Sequence, residues 1–427
     1  MSLKKETYKK RLIDDKISKY LTLFGAIAIE GPKWCGKTWT SLNHANSVTY
    51  MTEKSPRDLA KVDPKYIFTN DRPQLIDEWQ LVPGIWDSVR HECDNDHNKG
   101  KFILTGSTTL TKSEEEEEVF HSGVGRIAMM KMYPMSLYES GDSTGDVSIM
   151  DMLNDNVNCK YIRKVELDEL AKLIIRGGWP DNIDRDIEDI DIIPKSYIDA
   201  IVNKDINERK DKKRDSNKMR MLIRSLARNE SAIFSNDRIA RDIEEYENSA
   251  ELLESRITIA DYLSVLSSLY LIYNQEAFSV NYRSSKRVGK SPKRHLIDPS
   301  LSCASLDLSV DKLLNDHNTF GLMFEALVER DLKIYMDYLG GHLFHFRDNV
   351  SGDEVDAILE FRDGSYGAVE IKLSNGSIDV AKKSLMKFYD NVSKKPKFMC
   401  IIVGHYEAVI KDKETGIYII PITSLRP

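Results

Sequence analysis

The sequence has no apolar run near the ~18 residues needed to cross a bilayer. Its longest candidates are Ala26-Ile27-Ala28-Ile29 and Ile401-Ile402-Val403, so no membrane partner is expected. It is also short of cysteine. Cys35, Cys93, Cys159, Cys303 and Cys400 are five in 427 residues, with no C-x-x-C pair, which supports neither a disulfide framework nor a zinc site. Residues 1–10 are basic but lack a following apolar segment and a small-residue cleavage site, so a cytoplasmic protein with free thiols is expected. No internal repeat stands out. Nor does the chain carry a strong charge of one sign: a net charge of -7 argues against a uniformly basic nucleic-acid coat, although local patches can hide inside it. With 41% apolar and 30% charged residues and a mean hydropathy of -0.42, disordered and collagen-like classes are excluded.

At about 100–200 residues per domain, the length implies several domains. Four segments are read from the pattern: 1–145, 146–216, 217–290 and 291–427. Residues 20–110 alternate β-type runs (26–30, 47–51, 74–77 and 101–105) with helical patterns, the signal of βαβ units around a parallel sheet with helices on both faces. Ile85, Val89 and Cys93 fall at helical spacing. The acidic run 112–118 reads as a solvated loop. Periodic Leu167, Leu170, Leu173 and Ile174, stopped by Arg176-Gly-Gly-Trp-Pro180, indicate a helical lid. Three amphipathic stretches and a β-ribbon over 217–283 fit a winged helix-turn-helix. From Phe320 onward, helix, strands, helix and strand make a separate C-terminal α/β domain.

Gly31-Pro32-Lys33-Trp34-Cys35-Gly36-Lys37-Thr38 matches G-x-x-x-x-G-K-[ST] at every fixed position and directly follows an apolar β-type run. Backbone amides of such a loop surround a β-phosphate, while Lys37 bridges the β- and γ-oxygens and Thr38 holds Mg²⁺. ATP and Mg²⁺ are the expected ligands. Gln74-Leu-Ile-Asp77-Glu78 is a β-type run ending in two acids, placing Asp77 toward the metal and Glu78 toward a water attacking the γ-phosphate; solvated strand-end acids are the alternative. Residues 101–107 end in Thr105 and Ser107, either of which can orient that water, although a strand-to-turn exit explains them as well. Arg126 is a candidate γ-phosphate arginine, in cis or from a neighbouring subunit of a homo-oligomer, or a structural ion-pair partner.

Together with Leu104-Thr-Gly-Ser107, Gly125-Arg126-Ile, Tyr133-Pro134-Met-Ser136 and Gly177-Gly-Trp-Pro180, these motifs make the chain resemble bacterial and archaeal AAA+ class ATPases. The resemblance runs through nearly the whole chain, weakest over 141–164 and after Lys204. It implies a C-terminal domain of unknown function with a restriction-endonuclease-like core.

The residues there can be read independently. Asp356 lies in one β-type run and Glu370 and Lys372 in the next, the latter two apart and so on one face of a strand. A hairpin would gather two carboxylates and a lysine, the groups that metal-dependent phosphodiester cleavage needs. The pattern is similar to the PD-(D/E)XK nuclease core, which implies Asp356, Glu370 and Lys372 as signature positions. It also implies Glu325, on the preceding helix, as a further acid, with Mg²⁺ or Mn²⁺ as the metal. The proline common before the aspartate is replaced by Val355. A surface hairpin of alternating charge is the alternative. Finally, Arg283, Lys286, Arg287, Lys290, Lys293 and Arg294 form a cationic stretch without an acid, expected to lie on a DNA backbone. The resulting expectation is a Mg·ATP hydrolase that couples nucleotide state to DNA. Its alternative is a nucleotide-switched binding module with a silent nuclease-like domain, in defence or mobile-element biology.

Overall fold

Five strands, β1 Ala26–Glu30, β2 Ser47–Tyr50, β3 Gln74–Asp77, β4 Phe102–Gly106 and β5 Ile127–Lys131, pair in parallel in the order β2-β3-β4-β1-β5. Alternate residues take opposite faces. Ala26, Ala28, Ile76 and Leu104 pack against Ile85, Trp86 and Val89 of helix Gly84–Asn95. Ile27, Ile29, Leu75 and Ile103 pack against Ile17 of helix Ile13–Leu23 and Leu42 of helix Lys37–Leu42. Both faces are thus covered, as a parallel sheet requires. The carboxyl ends of β1, β3 and β4 lie side by side and deliver residues 31–38, 77–78 and 105–107 to one edge, where open α/β sheets bind ligands.

This computed structural model describes residues 3–4, 6–107, 122–205, 215–247, 255–281, 291–348 and 352–427. The acidic run 112–118 and the cations Arg283, Lys286, Arg287 and Lys290 lie outside the described residues. The chain divides into two compact units, Met1–Met135 with Leu266–Leu271, and Ser136–Val265 with Ile272–Pro427.

The second unit is built on a larger sheet. Strands β6 Val147–Ser148 and β16 Leu425–Arg426 pair apart from it. The others are β7 Lys160–Tyr161, β8 Ile272–Ala277, β9 Lys293–Leu296, β10 His342–Arg347, β11 Glu354–Glu360, β12 Tyr366–Ser374, β13 Phe398–His405, β14 Ala408–Lys411 and β15 Tyr418–Pro421. They run in the order β7-β14-β15-β13-β12-β11-β10-β8-β9. Strands β10, β11 and β12 are antiparallel neighbours, and β12, β13 and β15 are parallel. Helix Ile378–Asn391 makes the crossover from β12 to β13. Its stripe Ile378, Ala381, Leu385 and Phe388 is buried with Val355, Ala368, Ile401 and Val403.

Two segments read from the sequence take their places here. The segment read as a lid is built into this second unit. Helix Leu167–Arg176 ends at Gly177, whose φ is +67° and where a Cβ would fall 2.4 Å from Ser300 Oγ. Next, the Gly178 amide donates to Asp298 Oδ2 at 3.0 Å and Trp179 Nε1 to Ser300 Oγ at 3.0 Å. Trp179, fully buried, stacks on Tyr197 at 4.7 Å. The Gly-Gly-Trp sequence is therefore a packing joint as well as a stop. Likewise, helices Ser216–Arg228, Asn236–Glu247 and Ser255–Ser268 do precede a β8–β9 hairpin. That ribbon is no free wing, because β8 also pairs in parallel with β10 through Phe344 and His345.

Candidate active site

Gly31 opens the loop after β1 because nothing larger fits: a Cβ there would lie 2.2 Å from the Met132 carbonyl oxygen. Trp34 (φ 64°) and Gly36 (φ 100°) both turn through the left-handed region. Pro32 and Cys35 are buried, Lys33 half-buried and Trp34 exposed. The loop is held from behind by Arg11, which donates to the carbonyls of Cys35 and Tyr133 at 2.8 Å each. The Lys37 ammonium is buried and donates to the carbonyls of Gly31 (2.9 Å) and Pro32 (2.8 Å), which fixes its charge inside the loop.

Asp77, at the end of β3, gathers the helix after the loop and the end of β4. Its Oδ1 accepts from Thr38 at 2.8 Å and from Thr105 at 2.6 Å. Burial pushes this carboxyl up and the Glu78 charge adds to that, while the two hydroxyls and Lys37 oppose it. Glu78 follows with φ 56°, a conformation uncommon outside glycine. Its Oε2 accepts from Ser107 at 3.0 Å and from Gln80. Thr105 and Ser107, the residues expected to orient a water, each donate to an acid. Mg²⁺ is implied by the loop, and the donor set fits it: a hydroxyl and a carboxylate, both hard oxygen ligands, already meet here.

Arg126 requires a correction. It precedes β5, its carbonyl bonds to Ala26 at the start of β1, and its Nε donates to Asp94 at 2.7 Å. Five residues of β1 at ~3.3 Å each separate that end of the sheet from the loop, about 16 Å, so Arg126 does not reach its own chain's phosphate site.

The acids of the C-terminal unit do meet Lys372. Its ammonium lies 2.7 Å from Glu370 and 3.3 Å from Asp356. Asp356 Oδ2 accepts the Ile371 amide at 2.8 Å, and Glu370 Oε1 accepts from Ser384 at 2.9 Å. Burial and the nearby Asp356 push Glu370 up to about 7. Glu325 is also held well above the usual range, by burial and by Asp356.

Lys293 requires a second correction, because it does not face a phosphate backbone. Only 2% exposed, it pairs with Glu325 at 2.8 Å and Glu329 at 3.1 Å. Arg294 is half-buried over the Phe234 ring. Among the described residues, no three His, Cys, Asp or Glu side chains converge to hold a metal ion. Sequence reasoning missed Arg11, Gln80, Ser384 and Glu329. Of these, only Glu329 carried a signal, standing one helical turn after Glu325.

Residues 24–141 match a family profile described as an AAA domain. The N-terminal sheet carries an AAA-type P-loop domain. Beyond this AAA domain, residues 167–312 and 320–425 match two domains of unknown function, DUF8612 and DUF4143. No curated protein matches the chain. Among solved structures, it is similar to the Walker-type ATPase paby2304 of Pyrococcus abyssi at 12% identity and a TM-score of 0.43, over 71% of this chain and 98% of that one. It is also similar to the Aeropyrum pernix ORC2 protein (12%, TM-score 0.31, 75% and 97%). A third likeness is to the Thermotoga maritima RuvB Holliday junction branch migration motor (14%, TM-score 0.27, 70% and 94%). At these values the likenesses carry nothing further. No helix among the described residues is long and apolar enough to cross a membrane.

Proposed function

We propose that the AAA domain binds and hydrolyses ATP with Mg²⁺, and that the rest of the chain converts nucleotide state into a hold on DNA. The supporting observation is the junction at Asp77, where one carboxylate oxygen ties the P-loop threonine to the end of β4. When bound, Mg²⁺ neutralises phosphate charge, and Thr38 and Asp77 are the residues that would hold it. Lys37 supplies a fixed positive charge beside the phosphates. Glu78, its carboxylate aimed by Ser107 and Gln80, accepts a proton from the attacking water. Because Thr38 and Thr105 share one acceptor, a change at Thr38 is felt at β4.

The DNA role is supported by the cationic stretch Arg283, Lys286, Arg287 and Lys290 and by three helices leading into a hairpin. The helix–strand–strand–strand–helix–strand order from His317 to His405, with Asp356, Glu370 and Lys372 together, supports a PD-(D/E)XK-like core that serves as a nucleic-acid-holding module. Fluorescence anisotropy of a labelled duplex, with and without ATP, tests the coupling. Binding that falls with salt and changes with nucleotide supports it, and binding indifferent to both contradicts it.

A further inference from the structure

Lys293 arrives at the C-terminal acids from outside their hairpin, on β9. Its position is framed on several sides. It pairs in register with Gln275 of β8, and Gln275 Nε2 donates in turn to the carbonyls of Phe344 (2.9 Å) and Asp356 (3.1 Å). Two residues on, His295 is set between Glu230 at 3.1 Å and Gln275 at 3.0 Å. An ammonium has three donors. Those of Lys293 have three acceptors at hand: Glu325 Oε1 at 2.8 Å, Glu329 Oε1 at 3.1 Å and the Asp356 carbonyl at 3.4 Å. The second oxygen of Glu329 accepts from Ser231 at 2.8 Å. At 2% exposure, this cation is part of the interior and is not a passing surface charge.

We propose that Lys293 is the resident cation of the Glu325–Asp356–Glu370 cluster, fixed where a divalent ion would otherwise be recruited, and that the cluster binds no metal of its own. A buried carboxylate needs a partner cation, and a lysine delivered by a neighbouring strand supplies it permanently. With Lys372 bridging Asp356 and Glu370, each of the three acids already has an internal ammonium. The core keeps its shape and its charge pattern without the Lewis acid that phosphodiester cleavage requires. This inference does not rest on the nucleotide site.

The test is a Mn²⁺ titration of the nucleotide-free full chain, with free Mn²⁺ read by electron paramagnetic resonance. The wild type should take up no more Mn²⁺ than a Glu325→Gln/Asp356→Asn double variant. Lys293→Met should gain Mn²⁺ affinity by about tenfold or more, about 1.4 kcal/mol, and lose it again when Glu325→Gln is added. Mn²⁺ uptake by the wild type that the double variant lacks overturns the proposal, as does a cooperatively melting Lys293→Met that gains nothing. Should Lys293→Met fail to fold, the comparison of wild type with the double variant decides by itself.

Discussion

The Thr38 hydroxyl donates to Asp77 Oδ1 over 2.8 Å, and the same oxygen accepts from Thr105 at 2.6 Å. One carboxylate thus joins the ends of β3 and β4 to the helix that follows the phosphate loop. A motif 38 residues into the chain and another 39 residues later become a single site because β4 lies between β3 and β1.

On the proposed mechanism Glu78 acts as a base and does not bind nucleotide. Glu78→Gln should leave ATP affinity within about twofold and lower turnover by about 10²–10⁴-fold, measured by single-turnover phosphate release. Ser107→Ala removes one of two donors on the same oxygen and should cost less. Equal losses of binding and turnover in Glu78→Gln would argue for a structural role.

Arg126 should be silent in a dilute, single-chain assay. Its guanidinium is half exposed and paired with Asp94, so Arg126→Ala should change stability by no more than about 1 kcal/mol and leave turnover unaltered. A loss of activity that grows with protein concentration would instead assign it to a neighbouring subunit's site.

Glu370 predicts a pH dependence of stability. Its carboxyl is raised to about 7, above the 4.5 of an unperturbed glutamate, so between those values the folded chain holds a proton that the unfolded chain releases. The stabilising contribution is full below 4.5 and lost as pH rises through 7. It is worth up to about 3 kcal/mol. Thermal melts from pH 4.5 to 8 should show this decline, and Glu370→Gln should flatten it. A stability that rises across the window would contradict the assignment.

The nucleotide site was legible because its signals are local. A glycine whose Cβ has no room, a buried lysine six residues later and acids at the end of a β-type run all leave marks in short windows. Asp356, Glu370 and Lys372 were legible for the same reason, being two strands and a turn. Lys293 was not: a stretch with six cations and no acid read as phosphate-facing, and only the pairing of β9 with β8 turns this one inward. The β6–β16 and β7–β14 pairings span most of the second unit, and such non-local contacts have no period to read. Arg126 was left open between a phosphate arginine and an ion-pair partner because a motif gives order along the chain, not the end of the strand at which a residue sits.

The most direct measurement is calorimetric titration of MgATP into the purified chain, paired with phosphate release, for the wild type and Lys37→Ala. The wild type should bind ATP at one site per chain and release phosphate, with turnover falling by about 10²-fold or more in the variant. Absence of nucleotide uptake by the wild type, or a Lys37→Ala variant that hydrolyses ATP unchanged, would contradict a P-loop ATPase at the centre of this protein.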